Sequence, residues 1–373
     1  MKKLLIASAV SALFAAPATV LAQAKPAPAP TLDKVLEASG ISVSGYIDAG
    51  YTHSDRNQPF TTRVFDQQNN SFGLNQFGLT VAKQPKEGFG GLVNITVGRD
   101  AQFIHSSPEA APGSMFDVTQ AFAQYAGGPL TLIAGKFTTL HGTEVIASSG
   151  NTNTSRSILF GAVPFTHTGV RATWALSDTV SLIAGVNNGW DQLTDQNKGK
   201  TAELGATLNP IKPLTIAVSG YSGQEVSSAP LAPVTFGTRS SLNAVASYTI
   251  IDPLSVGLEV LSVSQDNFTS LVNGSTIKAK YTGVAGYVTY MFAPKFRGVL
   301  RVESFNDKDG FHFGTVDTKY KEVTLTGAYL PSDSFEARVE GRRDNATNTV
   351  FTDYAGAASK TMTSIALQGL YKF

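Results

Sequence analysis

From Ile41 to the last residue, apolar and polar side chains alternate one by one in short stretches. Ile41, Val43, Gly45, Ile47, Ala49 and Tyr51 share one parity, and Ser42, Ser44, Tyr46, Asp48 and Gly50 share the other. The same period of two returns at 72–83, 89–100, 117–125, 130–137, 165–176, 180–190, 202–208, 214–222, 242–250, 254–264, 281–292, 296–305, 320–330, 335–343 and 361–373. In the last of these, Thr363, Ile365, Leu367, Gly369, Tyr371 and Phe373 alternate with Ser364, Ala366, Gln368, Leu370 and Lys372. A period of two is that of a strand with one apolar face. The pattern predicts sixteen strands, most of them near the roughly 9–11 residues that a tilted strand needs to cross hydrocarbon. Their apolar faces require a covering layer, either more protein or lipid, and strands at the two ends require edge partners.

The connections separate these two coverings. Tight turns at 84–88, 127–129, 177–178, 209–213, 252–253, 293–294 and 331–334 carry Gly, Pro, Asn, Asp and Ser, the residues that set turn dihedrals. They alternate with long segments at 53–71, 101–116, 138–164, 191–201, 223–241, 265–280, 306–319 and 344–360. Strands running toward the tight turns end on Tyr125, Trp174, Tyr248, Tyr290 with Phe292, Tyr329, and Tyr371 with Phe373. In nearly every case these aromatics share the parity of the apolar face. Ring bodies favour acyl chains and polar tips favour headgroups, so the repeat reads as an interfacial girdle. The fold class that follows is all-β: a transmembrane antiparallel up-and-down β-barrel of about sixteen strands, with short periplasmic turns and long extracellular loops.

The N-terminus adds the route. Met1, Lys2 and Lys3 form a charged start, an apolar run spans 4–16, and Ala22 and Ala24 offer small residues for cleavage after either one. This is the form of a secretory signal peptide, read as 1–22. A proline-rich lead-in with a short helix follows over 23–40, and the barrel takes 41–373. Removing Lys2 and Lys3 moves the formal charge from +1 to −1, which gives no basis for a nucleic-acid partner. Cysteine is absent, so closure and packing must supply stability without disulfides.

With the apolar face toward lipid, the other parity lines the interior. It carries Asp48, Glu203, Glu259, Glu303, Glu336 and Glu340 against Arg171, Arg297, Arg301, Arg338 and Arg342. Basic residues on the lipid face would cost about 2–4 kcal/mol each at the midplane, so their parity supports the orientation. Arg297 and Arg301 stand ~13 Å apart along one strand face. Two readings of this mixed wall stay open: a screen that orients passing solutes, or mutually neutralising charges that stiffen the barrel.

Around the longest connection the sequence resembles a known family. Gly135, Lys136, Phe137, Thr139, Gly142, Glu144, Val145, Ile146, Asn151, Asn153, Ser155, Arg156, Ser157, Phe160, Pro164 and the run from Thr166 to Val170 are similar to the OmpL-like β-barrel porin family of bacterial outer membranes. Gly45 to Asp48 and Asn187 to Asp191 are similar as well. The resemblance implies an outer-membrane porin that passes small hydrophilic solutes by diffusion; the family carries no substrate assignment. By similarity to general sixteen-stranded porins, the 138–164 loop would fold inward as a constriction with Glu144 and Arg156 as its charges. An extracellular flap is the other reading. The same analogy implies a homotrimer in outer-membrane lipid, and the terminal strand as the segment that barrel-assembly machinery engages.

Other function classes are less well served. A surface receptor or adhesin would act through the extracellular loops, yet these are Asn, Ser, Thr and Gly-rich without aromatic clusters. An outer-membrane hydrolase needs a nucleophile, base and orienter. The five His residues, His53, His105, His141, His167 and His312, fall in no such spacing. No cluster of suitable ligands implies a metal or organic cofactor.

Overall fold

The computed structural model describes residues 31–108, 113–227 and 235–373. The expected signal peptide and the prolines of the lead-in, 1–30, lie outside them. Helix α1, Leu32–Ser39, belongs to a unit of its own. Its first turn closes with Val35 N–H donating to the Thr31 carbonyl at 3.2 Å, and its last with the Ser39 hydroxyl on the Leu36 carbonyl at 2.8 Å.

The second unit is a closed ring of sixteen strands. The first half comprises β1 Ser42–Ser54, β2 Ser71–Lys83, β3 Gly88–Val97, β4 Phe116–Gly127, β5 Leu130–Thr138, β6 Thr166–Ser177, β7 Val180–Asn187 and β8 Thr201–Ile211. The second comprises β9 Leu214–Val226, β10 Phe236–Ile251, β11 Leu254–Thr269, β12 Thr276–Ala293, β13 Phe296–Asp307, β14 Thr318–Ser332, β15 Phe335–Ala346 and β16 Thr361–Lys372. Each strand pairs antiparallel with the next. β16 then closes on β1, with Lys372 opposite Tyr46 and Ser364 opposite Ser54. Closure leaves no strand with an unpaired edge, which is what lets a sheet sit in hydrocarbon. A two-residue ladder, Phe351–Thr352 with Ala358–Ser359, folds back within the last long loop.

The alternation sorts the two faces. Leu204, Leu242, Leu325, Val339 and Ile365 are exposed on the outside, whereas Glu203, Asn243, Thr324, Arg338 and Ser364, one residue away from each, are buried inside. Tyr125, Trp174, Tyr248, Tyr290, Phe292, Tyr329, Tyr371 and Phe373 are all exposed on the outer face near the tight turns. The girdle also includes residues that open strands after those turns. Phe89 packs on Tyr125 with ring centroids 5.0 Å apart, and Phe296 on Tyr329 at 5.1 Å.

Several strands depart from their expected bounds, for identifiable reasons. β10, β11 and β12 begin or end five to six residues further into the long loops than expected. Their ladders continue where the exposed face has become polar, at Thr238, Asn267, Lys278 and Lys280, so a test for an apolar outer face stops short. β3 ends at Val97 and not at Asp100 because Gly98, at φ 124°, starts a 3-10 turn over Arg99–Phe103. β7 ends at Asn187 and not at Trp190, before Gly189 at φ 121°.

β-bulges also break strict parity, two of them within the first four strands. In the β1–β2 ladder the register shifts between Asp48 and Ala49, leaving Asn75 as an extra residue. In β3–β4 it shifts between Asn94 and Ile95, leaving Thr119 extra. A bulge adds one residue to one strand and re-aims its side chains. That is how Asp117 and Thr119 are buried inside although strict alternation from Tyr125 puts them on the lipid face.

Candidate functional site

The 138–164 segment leaves β5 and folds into the barrel, where it is bonded along the inner wall. Leu140 N–H donates to the Tyr221 hydroxyl on β9 at 2.8 Å. Next, the His141 ring bridges Ser219 at 2.7 Å and Ser241 at 2.8 Å. Gly142 N–H reaches Asn243 Oδ1 on β10 at 3.0 Å, and Thr143 N–H reaches Glu259 on β11 at 2.9 Å. The loop then crosses the ring. Gln76 on β2 takes Ser148 N–H at 3.0 Å and donates to the Ile146 carbonyl at 3.1 Å.

From there it runs back along the charged wall. Arg338 donates to the carbonyls of Asn151 at 2.7 Å and Asn153 at 3.1 Å. The Glu340 carboxylate accepts Thr154 N–H at 2.7 Å, Ser155 N–H at 3.0 Å and the Thr326 hydroxyl at 2.7 Å. Arg301 donates to the Ser155 carbonyl at 2.8 Å, and Arg342 to that of Arg156. Finally a single helical turn, α2 Ile158–Gly161, is capped by Ser157, whose hydroxyl accepts from Phe160 N–H at 3.0 Å. The free N–H groups of Ile158 and Leu159 go to Glu303 at 2.6 and 3.2 Å, as unsatisfied donors at a helix start require.

The eleven wall charges named from sequence all lie on the inner face, and each has partners. Asp48 accepts from Asn75 at 3.0 Å and Gln368 at 2.8 Å. Arg171 pairs with Glu203 at 2.9 Å, its guanidinium 4.3 Å from the Phe137 ring centre. Arg297 and Arg338 share Glu336. Arg342 pairs with Asp344 at 2.7 Å, and Arg301 with Glu322 at 2.9 Å.

Glu144 and Arg156 are also consumed by anchoring. Glu144 accepts from Arg301 at 2.6 Å and from Ser157 N–H at 2.6 Å. Arg156, 1% exposed, donates to the carbonyls of Val145, Ile146 and Thr154. It lies 5.3 Å from the ring centre of Phe65, brought in by the first long loop. It thus ties the loop to itself.

Sequence reasoning passed over several members of this arrangement. Glu322 shares the inner parity of Tyr320, Thr324 and Thr326, opposite Val323 and Leu325, so the alternation could have found it. Asp344 lay one residue beyond the expected end of β15. Gln76, Asn243, Ser219 and Ser241 are uncharged and gave no signal before the loop's path was known.

One titratable group outside the strands sits where the loop returns to the wall. Asp191 accepts Phe165 N–H at 2.8 Å and Thr166 N–H at 2.9 Å through one oxygen. Burial pushes its carboxyl up to about 7, since desolvation disfavours the charged form.

A family model described as "Putative beta-barrel porin-2, OmpL-like" matches residues 40–373. Comparison with curated proteins finds no match. Among solved structures, the outer membrane channel DcaP of Acinetobacter baumannii is 15% identical, covering 89% of this chain and 97% of that one, at a TM-score of 0.61. The trimer form of OmpT from Vibrio cholerae is 13% identical over 89% and 99%, TM-score 0.60. An anion-selective porin from Comamonas acidovorans is 9% identical over 89% and 99%, TM-score 0.62. At these identities the likeness is one of fold.

Proposed function

The chain belongs to the OmpL-like β-barrel porin family of bacterial outer membranes, and from that premise we propose a passive, weakly ion-selective diffusion channel for small hydrophilic solutes. The 138–164 loop is its constriction. The observation that carries this reading is the way the loop is held. Its backbone is bonded to the inner wall through Tyr221, Asn243, Glu259, Glu303, Glu340 and Arg338. A loop held this firmly narrows a sixteen-stranded ring that is otherwise wide enough for water.

The wall charges serve as scaffolding under this reading. Asp48, Arg171, Glu203, Glu259, Arg297, Arg301, Glu303, Glu336, Arg338, Glu340 and Arg342 are engaged with each other, with neighbouring side chains or with the loop. A charge paired with an opposite one contributes little net field to a passing ion, and these six acids and five bases nearly balance. Planar-bilayer recording of the purified protein tests the reading. Stable ohmic steps with a reversal potential near zero in a salt gradient are expected, and an insulating barrel refutes it.

A homotrimer is part of the same proposal, supported by fold similarity to an OmpT structure described as a trimer form. Native electrophoresis before and after heating would show a threefold change in mass. Recognition of the terminal strand, Thr361–Lys372 with Phe373, by barrel-assembly machinery is likewise proposed. Its support is the exposed Tyr371 and Phe373 at that end of the chain.

A further inference from the structure

Between the loop and the inner faces of β3, β4 and the end of β5 lies a cavity of about 250 Å³. Its two sides differ in chemistry. The strands contribute Asn94, Thr119 and Gln120, and the loop contributes Val145, Val163 and Phe165.

On the polar side, Asn94 Nδ2 is used by the Thr80 hydroxyl at 2.9 Å, and Gln120 Oε1 by Thr138 N–H at 3.3 Å. Asn94 Oδ1 and Gln120 Nε2 take no protein partner among the described residues. The wall therefore offers one acceptor and one donor to whatever occupies the space. On the apolar side, Val145 is 46% exposed although it lies inside the barrel. Its backbone is fixed by Asn151 and Arg156, which holds the side chain in place. The two titratable lining groups are already engaged: Glu144 by Arg301, and His141 by Ser219 and Ser241. An ion here would lose hydration without gaining a counter-charge.

We infer that this cavity is a two-faced selectivity site that favours small, net-neutral solutes carrying an aliphatic side next to hydrogen-bonding groups. The inference rests on the channel reading and deepens it. Such a solute covers Val145 while its polar end meets Asn94 and Gln120; a wholly polar solute of equal size leaves Val145 in water.

Valine and threonine make a suitable probe pair, because they match in shape and size, are both net neutral, and differ by a methyl against a hydroxyl. The assay is swelling of proteoliposomes containing the full-length protein in isosmotic solutions of each. A plain water-filled hole passes the two at equal rates. The site predicts valine faster by about twofold or more, with the ratio falling toward one in Val145→Thr. Because the readout is a ratio within one preparation, a lower yield of inserted variant cancels. Equal rates, or a ratio unchanged by Val145→Thr, overturn the inference and leave the channel standing. No swelling with either solute takes down the channel reading itself.

Discussion

Replacing Glu340 by glutamine should loosen the inward loop without disturbing the barrel. The carboxylate is 2% exposed and accepts three hydrogen bonds, two of them from the consecutive backbone N–H groups of Thr154 and Ser155. Glutamine keeps the shape but has one acceptor oxygen. With that oxygen toward Thr154 and Thr326, its amide N–H₂ faces the N–H of Ser155, donor against donor. One charge-assisted bond is lost, about 1.5–3 kcal/mol, and one buried donor is left unsatisfied, about 1–3 kcal/mol. A conservative sum is about 3 kcal/mol against the docked loop. At 1.4 kcal/mol per decade this raises the undocked population about a hundredfold. Hydrogen exchange reads it directly. The amides of Thr154 and Ser155 should exchange about a hundredfold faster, while the β14–β15 ladder amides, from Tyr320 opposite Ala346 to Tyr329 opposite Ala337, keep their rates. Single-channel records should show added closures and noise. If the two loop amides exchange within about threefold of the parent rate, Glu340 does not hold the loop and the anchoring argument fails.

Three further changes probe other parts of the structure. Gly135→Ala should lower the yield of heat-resistant barrel on electrophoresis. Gly135 sits at φ 136°, and an added Cβ would meet the Ala121 carbonyl oxygen at 2.3 Å in the β4–β5 ladder. Arg301→Ala leaves the buried Glu144 without a counter-charge and Glu322 with only Arg342, at 4.0 Å. It should cost about 3–5 kcal/mol of stability, seen as a lower melting temperature, with little change in reversal potential; a strong shift in selectivity would make the wall a screen. Asp191→Asn tests pH dependence. A carboxyl raised to about 7 when folded binds protons that the unfolded chain releases near 4, so its contribution is full below that pH and is lost as pH rises through 7. The exchange rates of Phe165 and Thr166, each divided by the intrinsic rate of an unstructured amide at the same pH, should therefore rise in the parent between pH 4 and 8. Asparagine keeps the accepting oxygen and should flatten that dependence, whereas an equal rise in the variant would assign it elsewhere.

The barrel was legible in the chain because lipid enforces its rule on every strand. Leu325 and Val339 must face outward and Thr324 and Arg338 inward, so period, turn spacing and aromatic placement agree from one strand to the next. The loop's path was less legible, since it is decided by contacts across the ring. Nothing local to Thr154 and Ser155 announces Glu340 as their acceptor, and nothing local to Ser148 announces Gln76. The bulge at Thr119 was hidden for a related reason. The extra residue, Thr119 between Val118 and Gln120, shifts the parity of only the first few positions of the strand, too few to establish a period, yet it helps bring Thr119 and Gln120 to the cavity beside the loop.

The seam between β1 and β16 joins Tyr46 to Lys372, positions nearly a full chain length apart. Bringing such distant segments together carries the largest chain-ordering penalty of any pairing in the molecule, so it belongs to the end of assembly. Until then, β1 and β16 each keep a bare row of backbone donors and acceptors, which hydrocarbon cannot satisfy. Insertion therefore has to shelter two raw margins until that seam closes.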